Sequence, residues 1–331
     1  MSASPSHPER WFITGAAGCI GAWVVREILA QGHEPVAFDL RRDERRLRQV
    51  LDREMDLERV AWLEGDVTDA AAVRNALERS GARRIVHLAG LQVPFCAADP
   101  VKGAMVNVVG TLNVFEAARS LKIPSLSYAS SAAVYGRDPD EHDQGDAEES
   151  QAPTPRTHYG VYKLANEGNA RVYFDAHGIS SVGLRPLTVY GVARDQGLTS
   201  GPTKAIKAAI AGLPYVIRFT GSTDFLFAED AARAFVAGAE PAAAGARVFN
   251  VHGESSTVAR FLELLAAQAS IARIRAEGGP LAIASRLDGG AFDDAWPGLA
   301  RTSLADGIAR TAQSFARLHA AGTLPLEDLD G

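Results

Sequence analysis

The sequence predicts an α/β protein in which a doubly wound parallel sheet carries a smaller, interleaved C-terminal lobe. Three observations lead there. Apolar runs of strand length alternate with helical patterns from Trp11 to about His177, a glycine-rich turn joins the first run to the first helix, and an acidic residue closes the second run.

Taken in order, Trp11-Phe12-Ile13 is the first expected strand and residues 22–31 the first helix. Pro35-Val36-Ala37-Phe38 is the second run and ends at Asp39, after which 43–58 reads as a charged helix. Further strands are expected at 60–63, 85–88, 125–128 and 181–184, with helices at 69–80, 100–121 and 157–177 between them. Residues 136–156 break the rhythm with acids, prolines and no apolar period, as a mobile loop above a site would. Beyond Gly191 the pattern loosens, with helices at 202–211, 229–239, 258–267 and 303–319 and a short strand at 247–250. No internal repeat is visible.

The turn between the first strand and helix reads Thr14-Gly15-Ala16-Ala17-Gly18-Cys19-Ile20-Gly21. Gly15 permits the tight turn, Gly18 lets backbone approach phosphate oxygens, and Gly21 lets the helix pack on its strand. The helix N-terminus then offers unpaired N–H groups to a pyrophosphate. Asp39 can accept both ribose hydroxyls of adenosine and repels a ribose phosphate, which selects NAD over NADP. Arg41 and Arg42 could pair with that phosphate, but they read better as the solvated start of the charged helix. The expected organisation is a disordered tail at 1–10, an NAD-binding Rossmann-type domain at 11–190, and a mainly substrate-binding lobe at 191–331 interleaved with it.

Composition excludes several classes. Hydrophobic residues make up 47% of the 331, enough for one large core or a core plus a lobe. A net charge of −6 leaves no footprint for nucleic acid or an anionic membrane. No apolar stretch approaches a membrane span, and the polar, proline-containing first ten residues hold no signal core, so a cytoplasmic protein is expected. The two cysteines, Cys19 and Cys96, cannot form a disulfide framework or a metal site alone, and no metal is expected.

Tyr159-Gly160-Val161-Tyr162-Lys163 places a tyrosine and a lysine four apart, on one face of a helix. A phenol with a pKa of about 10 is a poor base at neutral pH, and a neighbouring ammonium favours its ionised form. The pair follows a strand that ends in Ser130-Ser131.

With these residues the chain resembles the extended short-chain dehydrogenase/reductases, the NAD-dependent epimerase/dehydratase family. The resemblance runs from about Trp11 to Gly253. It rests on the glycine turn, Asp39, Gly65-Asp66-Val67, His87-Leu88-Ala89-Gly90, Asn107-Val108-Val109-Gly110-Thr111, Ser130-Ser131-Ala132-Ala133-Val134-Tyr135-Gly136, Tyr159 with Lys163, and Arg185-Pro186-Leu187-Thr188-Val189-Tyr190-Gly191. It implies an NAD site built from Gly15, Ala17, Gly18, Cys19, Ile20, Asp39, Asp66, Val67, Leu88, Ala89, Gly90, Asn107, Ser130, Tyr159, Lys163 and Pro186. Tyr159 would be the acid/base, with Lys163 lowering its pKa and holding the nicotinamide ribose. Ser131 would hydrogen-bond the reacting hydroxyl, with Ser130 as the near alternative. Asn107 reads equally well as a buried amide tying the sheet to its neighbour helix. Gln92, Ser131, Ala132, Tyr159, Thr188, Thr199 and Arg218 are the candidate substrate contacts. Family members commonly dimerise through the helices that fall here at 100–121 and 157–177, and the surplus apolar positions Val106, Val109, Leu112, Val161 and Leu164 fit a homodimer.

Three departures bear on the reaction. Dehydratases of the family carry a threonine and acids where this chain has Ser131-Ala132-Ala133, and two alanines cannot supply an acid/base pair. Nucleotide-sugar members usually carry an arginine where Thr223 precedes Asp224-Phe225, and often an asparagine at Thr188. The tail also lacks their arginine–proline–glycine–aspartate stretch. The segment 194–202 is rich in small polar groups that suit hydroxyls or one carboxylate. The expectation is an NAD-dependent dehydrogenase of a secondary alcohol on a carbohydrate or sugar-acid-like substrate. The rival is a sugar or nucleotide-sugar epimerase working through a transient ketone, and the remote alternative a non-catalytic NAD-binding regulator.

Overall fold

The structure, a computed structural model, describes residues 7–51, 53–136, 147–240, 244–281 and 283–330. Residues 1–6 of the expected tail lie outside these, and so do 137–146 of the expected loop at 136–156. The last residue of that expected tail, Arg10, opens the first strand instead.

The first half of the chain runs β1 (Arg10–Thr14), α1 (Cys19–Ala30), β2 (Glu34–Asp39), α2 (Arg45–Val50), α3 (Glu54–Glu58), β3 (Ala61–Glu64), α4 (Ala70–Ser80) and β4 (Arg84–His87). It continues through α5 (Val93–Ala98), α6 (Pro100–Ala104), a π-helical turn (Met105–Val109), α7 (Gly110–Ser120), β5 (Ser125–Ala129), a 3-10 turn (Ala132–Val134), α8 (His158–His177) and β6 (Ser180–Pro186). The remainder holds β7 (Thr188–Tyr190), α9 (Gly201–Ala211), β8 (Tyr215–Ile217), β9 (Ser222–Phe227), α10 (Ala228–Ala239) and β10 (Ala246–Val251). Last come β11 (Glu254–Thr257), α11 (Val258–Ala266), β12 (Ile274–Ala276), α12 (Gly290–Ala295) and α13 (Leu304–Ala320).

Seven strands form one sheet in the order β10-β6-β5-β4-β1-β2-β3, every pairing parallel. The order reverses at β1 and β4, which opens a crevice beyond their carboxyl ends. Both faces are covered, and the pleat sorts the side chains. Trp11 and Ile13 join one core with α1 and α10, while Phe12 joins the other with Val73, Val114 and Phe115 of α4 and α7. Although β10 lies late in the sequence, it closes the large sheet beside β6. The smaller lobe is built on the three-stranded sheet β11-β9-β7 and the pair β12-β8. Among the described residues no helix is long and apolar enough to cross a membrane.

Caps fix several helix ends. Asp69 accepts from the N–H groups of Ala71 and Ala72, Thr157 accepts from that of Gly160, and Gly178 closes α8 at φ 69°. Two expected helices differ. Residues 43–58 form two short helices, with Leu51 and Arg53 in extended conformation between them and Leu47, Val50 and Leu57 as the buried positions. Residues 100–121 are helical but widen into the π turn around Asn107. The expected strand at 60–63 starts one residue later, at Ala61.

Candidate functional site

Most of the expected cofactor residues lie at the carboxyl ends of the strands or on the segments that leave them, while Asn107 sits in the π turn and Tyr159 and Lys163 on α8. Gly15 takes φ 68°, and a Cβ there would stand 2.7 Å from the Ala89 backbone nitrogen, so the turn after β1 lies directly on the segment after β4. On Gly21 a Cβ would overlap the Gly15 carbonyl. Gly18 is the N-cap of α1 with no side-chain partner for the first N–H groups. These close approaches leave main chain, not side chain, facing the crevice, which fits a pyrophosphate. Asp39, at the end of β2, accepts from the Ala17 N–H at 3.0 Å and the Leu40 N–H at 2.8 Å. Burial raises its pKa above the usual carboxylate value, against the pull of those two bonds. Asp66 is exposed beyond β3, and Val67 packs at the foot of α7.

Arg42 pairs with Glu44 and not with the Asp39 carboxylate. Sequence reasoning missed a different arginine, Arg46. Its guanidinium donates to the Ala17 carbonyl at 2.9 Å and forks the Asp195 carboxylate at 2.8–3.1 Å.

Beneath the glycine turn lies a buried polar floor. Leu88 and Ala89 donate their N–H groups to Thr14 Oγ1, which is 2.6 Å from His87 Nδ1. His87 Nε2 is 2.9 Å from Thr111 Oγ1, and that hydroxyl donates to the Asn107 carbonyl. Thr111 therefore accepts from Nε2–H, and Nδ1 accepts from Thr14. Burial holds His87 neutral, with its pKa lowered to about 3. Asn107 bears out neither of its readings alone. Its Nδ2 donates to the Leu91 and Gly103 carbonyls, tying helix to loop, while its buried Oδ1 has no hydrogen-bond partner. That atom faces Gly90, where a Cβ would stand 2.7 Å from it and 3.4 Å from Lys163 Nζ.

Ser131, Tyr159 and Lys163 come together. The 3-10 turn opens at Ser131, whose hydroxyl accepts from the Ala133 N–H and hydrogen-bonds the Tyr159 phenol. Lys163 Nζ lies 5.4 Å from the Tyr159 ring centroid and donates to the Ala129 carbonyl at 2.7 Å. Burial depresses Lys163 to about 8. Burial raises Tyr159 above 10, and the groups that pull it back are the Ser131 hydrogen bond and the charge of Arg194. Ser130 is turned inward. It is 1% exposed and donates to Glu167, which forms a buried two-bond ion pair with Arg185 at 2.6 and 2.7 Å. Arg185 continues to the Tyr135 hydroxyl, and that to Asn250. This chain, which sequence reasoning missed, braces the floor beneath Ser131 and joins β6 to β10. Pro186 ends β6 next to it.

The substrate candidates separate. Gln92 N-caps α5, Thr199 is buried just ahead of α9, and Ala132 is buried in the 3-10 turn. Thr188, expected to touch substrate, is fully buried, and its hydroxyl is 2.7 Å from that of Thr223 across the β7–β9 pair. Arg218 projects into solvent with its side chain 81% exposed, 4.0 Å from Glu277. Of the expected interface positions Val161 is exposed, and Val109 and Leu112 are half-buried. Val106 and Leu164 pack against the protein's own cores, whereas Phe95, Val101, Met105 and Val161 are exposed.

Comparison with known proteins gives a consistent result. The model of the NAD dependent epimerase/dehydratase family matches residues 11–271. A UDP-glucose 4-epimerase of Mycolicibacterium smegmatis is 30% identical over 92% of this chain and 98% of its own. An NAD-dependent glucose-6-phosphate dehydrogenase of Haloferax volcanii is 34% identical over 52% of this chain and 66% of its own. Among solved structures, a Thermus thermophilus UDP-glucose 4-epimerase in complex with NAD superposes with a TM-score of 0.77 at 26% identity, over 92% of this chain and 98% of that one.

Proposed function

The chain belongs to the NAD dependent epimerase/dehydratase family, and on that premise we propose that it is a dehydrogenase of a secondary alcohol on a small sugar or sugar acid that carries no nucleotide. The Thr188–Thr223 hydrogen bond carries this reading. At the two positions where nucleotide-sugar members usually place an amide and an arginine, the chain has two buried hydroxyls that satisfy each other. A diphosphate is best held by a fork of charged donors, and that pair offers it none. A relative that the comparison names a glucose-6-phosphate dehydrogenase acts on a sugar without a nucleotide, which is in keeping.

The residues divide the work as follows. When bound, NAD supplies the hydride acceptor. Tyr159 takes the proton of the substrate hydroxyl, and Ser131, bonded to the same phenol, holds that oxygen in line. Lys163, next to Gly90 and the unpartnered Asn107 Oδ1, presents a cation to the ribose and the phenol. The buried Ser130–Glu167–Arg185 chain keeps Ser131 from drifting. We further propose a homodimer that covers the exposed Phe95, Val101, Met105 and Val161 of α5, α6, the π turn and α8. Light scattering at micromolar concentration should give twice the chain mass, and a monomer mass removes this part.

The second reading, an epimerase, is favoured by the near full-length similarity to the mycobacterial UDP-glucose 4-epimerase. One experiment separates the two. Purified protein is incubated with NAD and a panel of free sugars, sugar acids, UDP-sugars and GDP-sugars, following reduced nicotinamide together with product stereochemistry. A free compound should give the highest kcat/KM with net reduction of NAD. A nucleotide sugar that is inverted with higher efficiency than every free compound restores the epimerase.

A further inference from the structure

We infer that Arg194, flanked by Thr199 and Gln92, is the subsite for a single carboxylate on the substrate, beside the reacting hydroxyl. This rests on the small-substrate reading above and names the charged group such a substrate should bear.

The segment after β7 is pinned at both sides of Arg194. Val192 offers its carbonyl to Trp23 Nε1 at 3.0 Å, Ala193 takes φ 72°, rare for a residue with a side chain, and Asp195 is forked by Arg46. The backbone therefore fixes where the Arg194 side chain starts, and a hydrogen bond anchors its end. Its Nη2 donates to Thr199 Oγ1 at 3.1 Å, while its buried Nε has no partner. Among the described residues no carboxylate pairs with it. Next to it, Gln92 Oε1 is a second buried polar atom without a partner. Gly197, at φ 98°, marks where they meet: a Cβ there would overlap Gln92 Oε1 and stand 3.2 Å from Arg194 Nη2.

An arginine with an unpaired, buried N–H is costly to leave without an anion. The planar fork matches a carboxylate, with the Gln92 amide and Thr199 hydroxyl at its edges for neighbouring hydroxyls. The location fits the chemistry, since the Arg194 charge acts on the Tyr159 phenol. It also acts on the Cys19 thiol at the phosphate turn, so the cofactor's pyrophosphate is the competing partner. Two placements favour the substrate. Arg194 is bonded to Thr199, just ahead of α9. Gln92 stands two residues after Gly90, which lies against Lys163 Nζ, so both flank the reacting end of the crevice.

Gluconate and glucitol share a six-carbon polyol chain and differ by one carboxylate. Full-length protein loaded with NADH is titrated calorimetrically with each, and with UDP-glucose. Gluconate should bind at least about tenfold more tightly than glucitol, a difference a charged hydrogen bond supplies. Arg194→Gln should erase that preference while NAD affinity stays within about threefold, and Arg194→Lys should keep part of it. As a second probe, Gln92→Leu should weaken gluconate without moving NAD. The inference is overturned if wild-type protein does not prefer gluconate, or if Arg194→Gln weakens NAD tenfold and leaves the preference intact. UDP-glucose binding best of all, with the Arg194-dependent preference retained, would sink the small-substrate reading and leave the subsite standing.

Discussion

The two sides of the crevice are made of different material. On the cofactor side the surface is main chain: Gly15, Gly18 and Gly21 bring backbone forward, and the buried Thr14–His87–Thr111–Asn107 floor holds it there. On the proposed substrate side the groups are side chains, carried by short strands and one pinned segment, with Arg194 and Gln92 keeping unpartnered atoms and Thr188 and Thr223 buried and closed on each other. A cofactor shared by many enzymes can be met by backbone that tolerates no Cβ. A particular substrate must be met by side chains that can be exchanged without moving the sheet.

Tyr159 stands on the boundary between the two sides, and removing its oxygen tests the division most strongly. Tyr159→Phe should lower turnover about 10²-fold or more while NAD binding persists. Retention of most activity would move the acid/base elsewhere. The next effect concerns the cofactor side alone. NAD should bind at least about tenfold more tightly than NADP, roughly 1.4 kcal/mol, because Asp39 repels a ribose phosphate and Arg42 is taken by Glu44. Equal affinities in a titration would show that neighbouring arginines outweigh the carboxylate.

The floor gives a pH signature. His87 is held near a pKa of about 3 against 6.5 for a free histidine, so the unfolded chain binds a proton that the folded one refuses. That contribution is present in full above about 6.5 and is lost as pH falls toward about 3. Proton uptake on unfolding near pH 5 should drop by about one in His87→Gln, and an unchanged uptake would mean the histidine already titrates in the fold. The smallest effect belongs to the threonine pair. Thr223→Val keeps the shape and strands the Thr188 hydroxyl, so stability should fall by about 1–2 kcal/mol with kcat/KM nearly unchanged. A tenfold loss of kcat/KM at intact stability would show that the pair touches substrate after all.

The same division explains how much could be read beforehand. The sheet, the glycine turn and the Tyr159–Lys163 helix were legible because periodicity, backbone approach and one-turn spacing are local properties of a chain. The strands β7, β8, β9, β11 and β12 are mostly three to six residues long and carry no period to detect. Arg46 looked like a surface charge and Arg194 like one end of a polar segment, since nothing local shows that α2 folds back onto Ala17 or that Val192 is held by Trp23. The Ser130–Glu167–Arg185–Tyr135–Asn250 chain joins residues from 130 to 250, and its logic exists only once β10 returns to the sheet. Nothing local could tell that Thr188 would be buried against Thr223 or that Arg218 would stand exposed beside Glu277.

Arg46 grips the Ala17 carbonyl with one nitrogen and Asp195 with two others, so the phosphate turn and the segment bearing Arg194 and Thr199 share a hinge pin. The two compartments are therefore joined through one side chain, and the grip on what one holds should depend on what the other holds. Reciprocity then fixes the converse: whatever factor the nucleotide adds to the grip on the alcohol, the alcohol returns to the grip on the nucleotide, and cutting the pin with Arg46→Ala uncouples both by the same amount.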